Sequence, residues 1–194
     1  MSLNVLLMSD EMIKERTAIH GNIDSKLLYP DIKVAQDMYI LPVLGTALYN
    51  KLQAAVNAND WTGLAAYKAL LDNYILDALM YYTLAELPTT LGYQFWNRGV
   101  TRKTGTDTEV PSMSELVDIS NKYKERGEWY AKRLKLYLQA SIPGGAFPEY
   151  MQAGTGVDTI YPDQNSFSMP IYLGDAEKNP YCNKGGFTDK PYTE

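Results

Sequence analysis

Apolar positions recur at helical spacing along most of the first two thirds of the chain, and polar breaks, glycines and prolines cut the pattern into segments. Ser9 reads as an N-cap, with Asp10 and Glu11 in the favourable first turn of a short helix through Arg16. A polar loop follows at His20-Gly21-Asn22. Pro30 suits the first position of a second helix over Asp31 to Ile40, with Ile32, Ala35, Met38 and Tyr39 near helical spacing and Pro42 as the interruption. Gly45-Thr46 restarts a helix through about Val56, and Asn57 to Asp60 forms the next polar break. The longest apolar run spans Trp61 to Leu87. Its stripe of Leu64, Tyr67, Leu71, Tyr74, Ala78, Tyr82 and Ala85, broadened by Leu70, Ile75, Leu79 and Tyr81, predicts the buried centre of the body. Pro88 should end it, leaving Thr89 to Pro111 as a long loop.

The final helix has the clearest start. Ser112 stands three residues before Glu115, the capping-box arrangement, and Leu116, Ile119, Tyr123, Tyr130, Leu134 and Tyr137 follow at helical intervals. Glu115 and Asp118 lie early and Lys132, Arg133 and Lys135 late, in accord with the helix dipole. The fold class is therefore all-α: a helical bundle of four to five helices, with a broadly antiparallel long pair, over residues 1–139.

Residues 140–194 break the pattern. They hold seven of the fourteen glycines and six of the ten prolines, yet also carry Phe147, Tyr150, Tyr161, Phe167, Tyr172, Tyr181, Phe187 and Tyr192. Many rings on a backbone unsuited to helix predict an extended C-terminal arm that docks elsewhere. Ordering each arm residue costs about 1–2 kcal/mol of backbone entropy, so the reading assigns its contacts to neighbouring subunits. Short strands at Asp158–Tyr161 and Met169–Leu173 would pair with another chain.

Charge sharpens this division. The chain carries a net −5, and the arm supplies most of it, with seven acids against Lys178, Lys184 and Lys190. A dedicated nucleic-acid binder would show a basic excess instead. Cys182 stands alone, so no intramolecular disulfide forms and no cysteine-rich zinc site exists. The apolar run Val5 to Met8 is too short for a signal peptide, and no stretch approaches the ~20 residues of a membrane span. A soluble protein made in a cytoplasm is expected.

Catalytic chemistry finds little support. His20 is the one histidine, and a solvated or hydrogen-bonding loop residue is the better reading than a ligand or base. Gly144-Gly145 and Gly185-Gly186 lack the Lys-Ser/Thr continuation of a phosphate loop. Acids on the central helix, Asp72, Asp77 and Glu86, read as capping groups, ion-pairing groups or an interface with a neighbour. No enzyme, cofactor or metal is expected. The candidate contact residues are Arg98, Arg102 and Lys103 in the loop, and Phe147, Tyr150, Tyr161, Phe167, Tyr172 and Tyr181 in the arm. The cations could meet nucleic-acid phosphates, but acidic groups on a protein partner fit the acidic background better. The sixteen tyrosines read as packing and interface anchors.

The run Val34-Ala35-Gln36-Asp37-Met38-Tyr39-Ile40-Leu41-Pro42-Val43-Leu44-Gly45-Thr46-Ala47-Leu48-Tyr49 resembles the N-terminal helical signature of small head-to-tail connector proteins of tailed phages and prophages of Bacteroides-type hosts, including crAss-like phages. The loop Asn97-Arg98-Gly99-Val100 and the helix end Tyr130-Ala131-x-x-Leu134-x-x-Tyr137-Leu138 extend the likeness over roughly residues 10–140. The resemblance implies an all-helical adaptor, a homo-oligomeric ring, generally twelve-fold, beneath the portal protein in the virion. It would lengthen the DNA channel and dock other connector or tail proteins, with no catalytic residues. The long arm exceeds the compact pattern of that family. A tail completion or stopper protein is the nearest alternative, and a nucleic-acid-binding module using residues 98–103 is a second.

Overall fold

In the computed structural model, residues 5–96, 99–102, 112–152, 154, 156 and 158–163 are described. The fold is helical. Helix α1 (Asp10–Arg16) begins at Ser9, whose hydroxyl accepts from the Met12 amide. Helix α2 (Ser25–Ala35) runs into a π-helical turn, Gln36–Ile40, then α3 (Leu41–Leu44); α4 (Thr46–Ala58) follows. Helix α5 (Ala65–Leu70) likewise passes through a π turn, Leu71–Ile75, into α6 (Leu76–Gly92). A hairpin of β1 (Tyr93–Trp96) and β2 (Gly99–Arg102) precedes α7 (Met113–Ser141), and α8 (Pro148–Met151) closes the series.

The predicted central helix is central. Tyr67, Leu71, Ala78, Tyr82 and Ala85 are buried, and α6 lies antiparallel to α7 along its length. The pairing is read from contacts that run in opposite directions: the Ser120 hydroxyl donates to the Ala85 carbonyl (2.7 Å), Tyr81 stacks on Tyr130 (5.2 Å) and Tyr74 on Tyr137 (4.2 Å). Helix α2 and the π turn that follows it take another face of α6, with Tyr39 of the turn stacked on Tyr82 at 4.2 Å. The N-terminal segment is tied down by two buried glutamines. Gln36 accepts from the Leu7 amide (2.8 Å) and donates to the Val5 carbonyl (3.0 Å), to which Gln53 also donates (3.1 Å).

Prolines were weaker stops than the sequence pattern implies. Helix α2 begins at Ser25, capped by Asp24, and contains Pro30. Pro42 does not break the chain; the break comes at Gly45, where φ is +76°. Pro88 lies inside α6, which continues to Gly92. In each case burial of the flanking apolar side chains offsets one lost backbone bond. The expected loop over residues 89–111 is instead the end of α6 and the hairpin, with 103–111 outside the described residues. The Ser112 capping box is present in both directions. Its apolar series is shifted, however: Ile119 is exposed, and Leu116, Gly127, Ala131, Leu134 and Leu138 form the buried stripe.

The helical body expected over residues 1–139 is followed by an ordered segment. After the turn at Ile142, the chain folds back on the helices as far as Asp163. The predicted strands do not form at 158–161, and 169–173 lies outside the described residues.

Candidate partner-binding surfaces

Residues 142–163 show how the base of the arm is held. Phe147 and Tyr150 are buried. Phe147 meets the Tyr67 ring edge-on at 5.2 Å and lies 6.2 Å from Tyr137. Beside them, Lys51 donates to Glu149 (2.5 Å) and to the Tyr67 hydroxyl (3.0 Å), and Tyr67 donates to Glu149 (2.6 Å). Burial pushes the Glu149 carboxyl upward, but the bonds from Lys51 and Tyr67 outweigh it and hold it below its ordinary value. The Glu149 bond raises Lys51 correspondingly. Burial, then the bond to Glu149, raises the Tyr67 hydroxyl.

Beyond α8 the chain forms a strap over the α3–α4 junction. The Thr46 amide donates to the Ile160 carbonyl (3.0 Å), the Ile160 amide to the Thr46 hydroxyl (2.8 Å), and the Asp163 amide to the Pro42 carbonyl (2.7 Å). Pro162 lies so close to Gly45 that a β-carbon there would stand 2.8 Å from its ring. Asp163 also pairs with Lys135 of α7.

The structure places three of the predicted contact residues. Phe147 and Tyr150 serve the chain's own core, because α4, α5 and α7 leave an apolar gap that α8 fills. Tyr161 is different: 74% of its surface is exposed. Arg102 falls on β2, opposite Tyr93, with its side chain outside the described residues. Arg98, Lys103, Phe167, Tyr172 and Tyr181 also lie outside them, as does Cys182. The His20 Nδ1 accepts from the Asn22 amide at 3.2 Å in the expected polar loop.

The predicted set did not include an exposed apolar pair on α7. Trp129 (61% exposed) and Leu136 (57% exposed) stand seven residues apart on α7, opposite its buried stripe. A helical wheel centred on Leu134 and Leu138 would have located them. Met38 is similarly exposed on the π turn after α2.

Inside the body, one acid lacks a full set of partners. Asp31 is buried; Oδ1 accepts from the Thr90 hydroxyl (2.9 Å), and Oδ2 has no partner among the described residues. Burial raises its pKa, the Thr90 bond lowers it in part, and the nearby Glu86 charge raises it again. Glu86 itself accepts from Tyr39 (2.8 Å), whose hydroxyl is pushed up to about 12 by burial and that carboxylate. Among the described residues, no helix is long and apolar enough to cross a membrane.

Fold and surface together define a helical body that closes its own core with the base of its C-terminal segment and keeps large apolar side chains on outer helix faces. The chain belongs to a family of unknown function, DUF6712, whose model matches residues 40–160. That span takes in α3 to α8 and the strap as far as Ile160. No curated protein and no solved structure matches the chain.

Proposed function

We propose that this protein is a structural subunit of the head-to-tail connector of a tailed phage, assembling as a ring below the portal protein. The observation that carries the reading is the pair Trp129 and Leu136, large and apolar yet outside a core that is already closed. Exposed anchors of this kind suit burial against another protein. The likeness of Val34 to Tyr49 to connector proteins supplies the particular assembly, its place in the virion and its channel for DNA. The aromatic residues Phe167, Tyr172 and Tyr181 in the sequence after the strap fit an extended arm that contacts neighbouring subunits or other connector and tail proteins.

The test is the native mass of the full-length protein, alone and with its portal protein. A discrete species of about twelve copies in either sample supports the ring. A monomer in both overturns it, and salt-sensitive DNA binding lost on neutralising Arg98, Arg102 and Lys103 would then favour the nucleic-acid reading.

A further inference from the structure

Two parts of the C-terminal segment are fastened by different means. Helix α8 is held by burial, through Phe147 and Tyr150. The strap over residues 158–163 is held mainly by polar bonds, and its large side chains Ile160 and Tyr161 stay exposed. Its fastenings are the exchanged bonds of Thr46 and Ile160, the Asp163 amide on the Pro42 carbonyl, the ion pair of Asp163 with Lys135, and the Pro162 ring on Gly45.

The surface beneath the strap is complete without it. An open cleft of about 530 Å3 separates Lys33, Asp37 and Tyr49 of the body from Gly156, Asp158 and Thr159. On the body side, Asp37 already accepts from Lys33 (2.7 Å) and Tyr49 (2.6 Å). On the other, the Thr159 hydroxyl donates to the Gly156 carbonyl (2.6 Å). Lifting the strap therefore uncovers little apolar surface. The backbone groups it frees, the Thr46 amide at the start of α4 and the Pro42 carbonyl near the end of α3, are helix-end groups that water satisfies. The connection to α8 contains Gly154, at φ +96°, and Gly156, which ease a pivot there. The closed position is nonetheless a specific seat, because only a residue without a β-carbon at position 45 admits Pro162.

We propose that the strap is a latch that opens as one unit while the helical body stays folded, and that it sets where the following residues leave the body. Closed, it fixes their root at the α3–α4 junction. Open, it leaves them tethered at α8, and residues 152–163 then add roughly 40 Å of reach at full extension. Salt controls the latch through the pair of Asp163 with Lys135, since the Asp163 side chain is largely exposed and open to screening. The inference concerns the single chain and holds whether or not the protein forms a ring; on the connector reading, the added reach serves contacts with neighbouring subunits.

The experiment is native-state hydrogen exchange on the full-length protein, followed at the Thr46, Ile160 and Asp163 amides, with Leu79 in α6 as the reference. The three amides should show matching protection, at least about 100-fold below that of Leu79 and insensitive to urea below the unfolding transition. Asp163→Asn keeps the backbone bonds and removes the ion pair. It should lower protection at all three amides about threefold and leave Leu79 unchanged. Raising salt from about 0.05 to about 0.5 M should do the same in the parent but not in the variant. Protection equal to that of Leu79, or loss at one of the three amides without the others, overturns the latch. An Asp163→Asn variant with unchanged strap protection overturns the ion pair as its control. A chain that stays monomeric with its portal protein rejects the ring and leaves the latch standing, so the two readings fail separately.

Discussion

At Gly127, α7 passes directly against the Tyr82 ring of α6. A β-carbon there would stand 2.8 Å from the Tyr82 ring, so the glycine is required by a neighbour and not by its backbone angles. Gly127→Ala should gain about 1 kcal/mol of helix propensity but lose about 1–3 kcal/mol through overpacking. The expected result is a lower Tm by a few degrees in circular dichroism, the reverse of what propensity alone forecasts. Asp31 offers a second test. Its folded pKa lies above the ordinary 3.8, so ionisation opposes folding: the cost is absent below 3.8 and grows as pH rises through the raised value. Asp31→Asn keeps the acceptor for Thr90 and removes the charge. Its stability relative to the parent, from urea titrations, should therefore improve from pH 3 toward pH 7; an unchanged difference would reject the assignment.

Among the elements, α8 is small but specifically fastened. Glu149 is held below its ordinary 4.5 and Lys51 above 10.5, so the pair contributes fully between those values. The contribution is lost in acid as pH falls through the lowered Glu149 value, and in alkali as pH rises through the raised Lys51 value. Glu149→Gln should lower stability at pH 7 by about 1 kcal/mol, with allowance for the partial exposure of Lys51, and the deficit should shrink in acid. Thermal melts at pH 7 and pH 3 read both effects. Element starts were legible in the residues: Ser9 and the Ser112–Glu115 pair cap helices through bonds that span three residues. Element ends at prolines were not, because whether a helix absorbs Pro30 or Pro88 depends on what its flanks bury.

At the scale of the whole molecule, the body extends beyond its long helices. A chain ending at Ser141 loses Phe147 and Tyr150 from the core, and removal of either aromatic alone is worth about 3–5 kcal/mol. Such a chain should lose its cooperative thermal transition, whereas one ending at Gln164 should retain it. Gly45→Val tests the strap separately: a β-carbon meets Pro162 and φ is positive, so proteolysis around residues 154–161 should accelerate while the helical signal persists.

Residue order was enough for the helical class, the buried stripe from Tyr67 to Ala85, the caps and the glycine- and proline-rich character of the C-terminal segment. Those properties depend on local periodicity and on side chains within a turn of the backbone they bond. Tertiary structure alone decided which rings of that segment are core and which are surface. Phe147 and Tyr161 have similar sequence settings, yet one enters the gap left by α4, α5 and α7 and the other stands in solvent. The same holds for α7, where burial of Leu134 and Leu138 fixes the helix rotation and thereby turns Trp129 and Leu136 outward. Periodicity shows that a helix has faces; only its packed neighbours select the face that remains open to a partner.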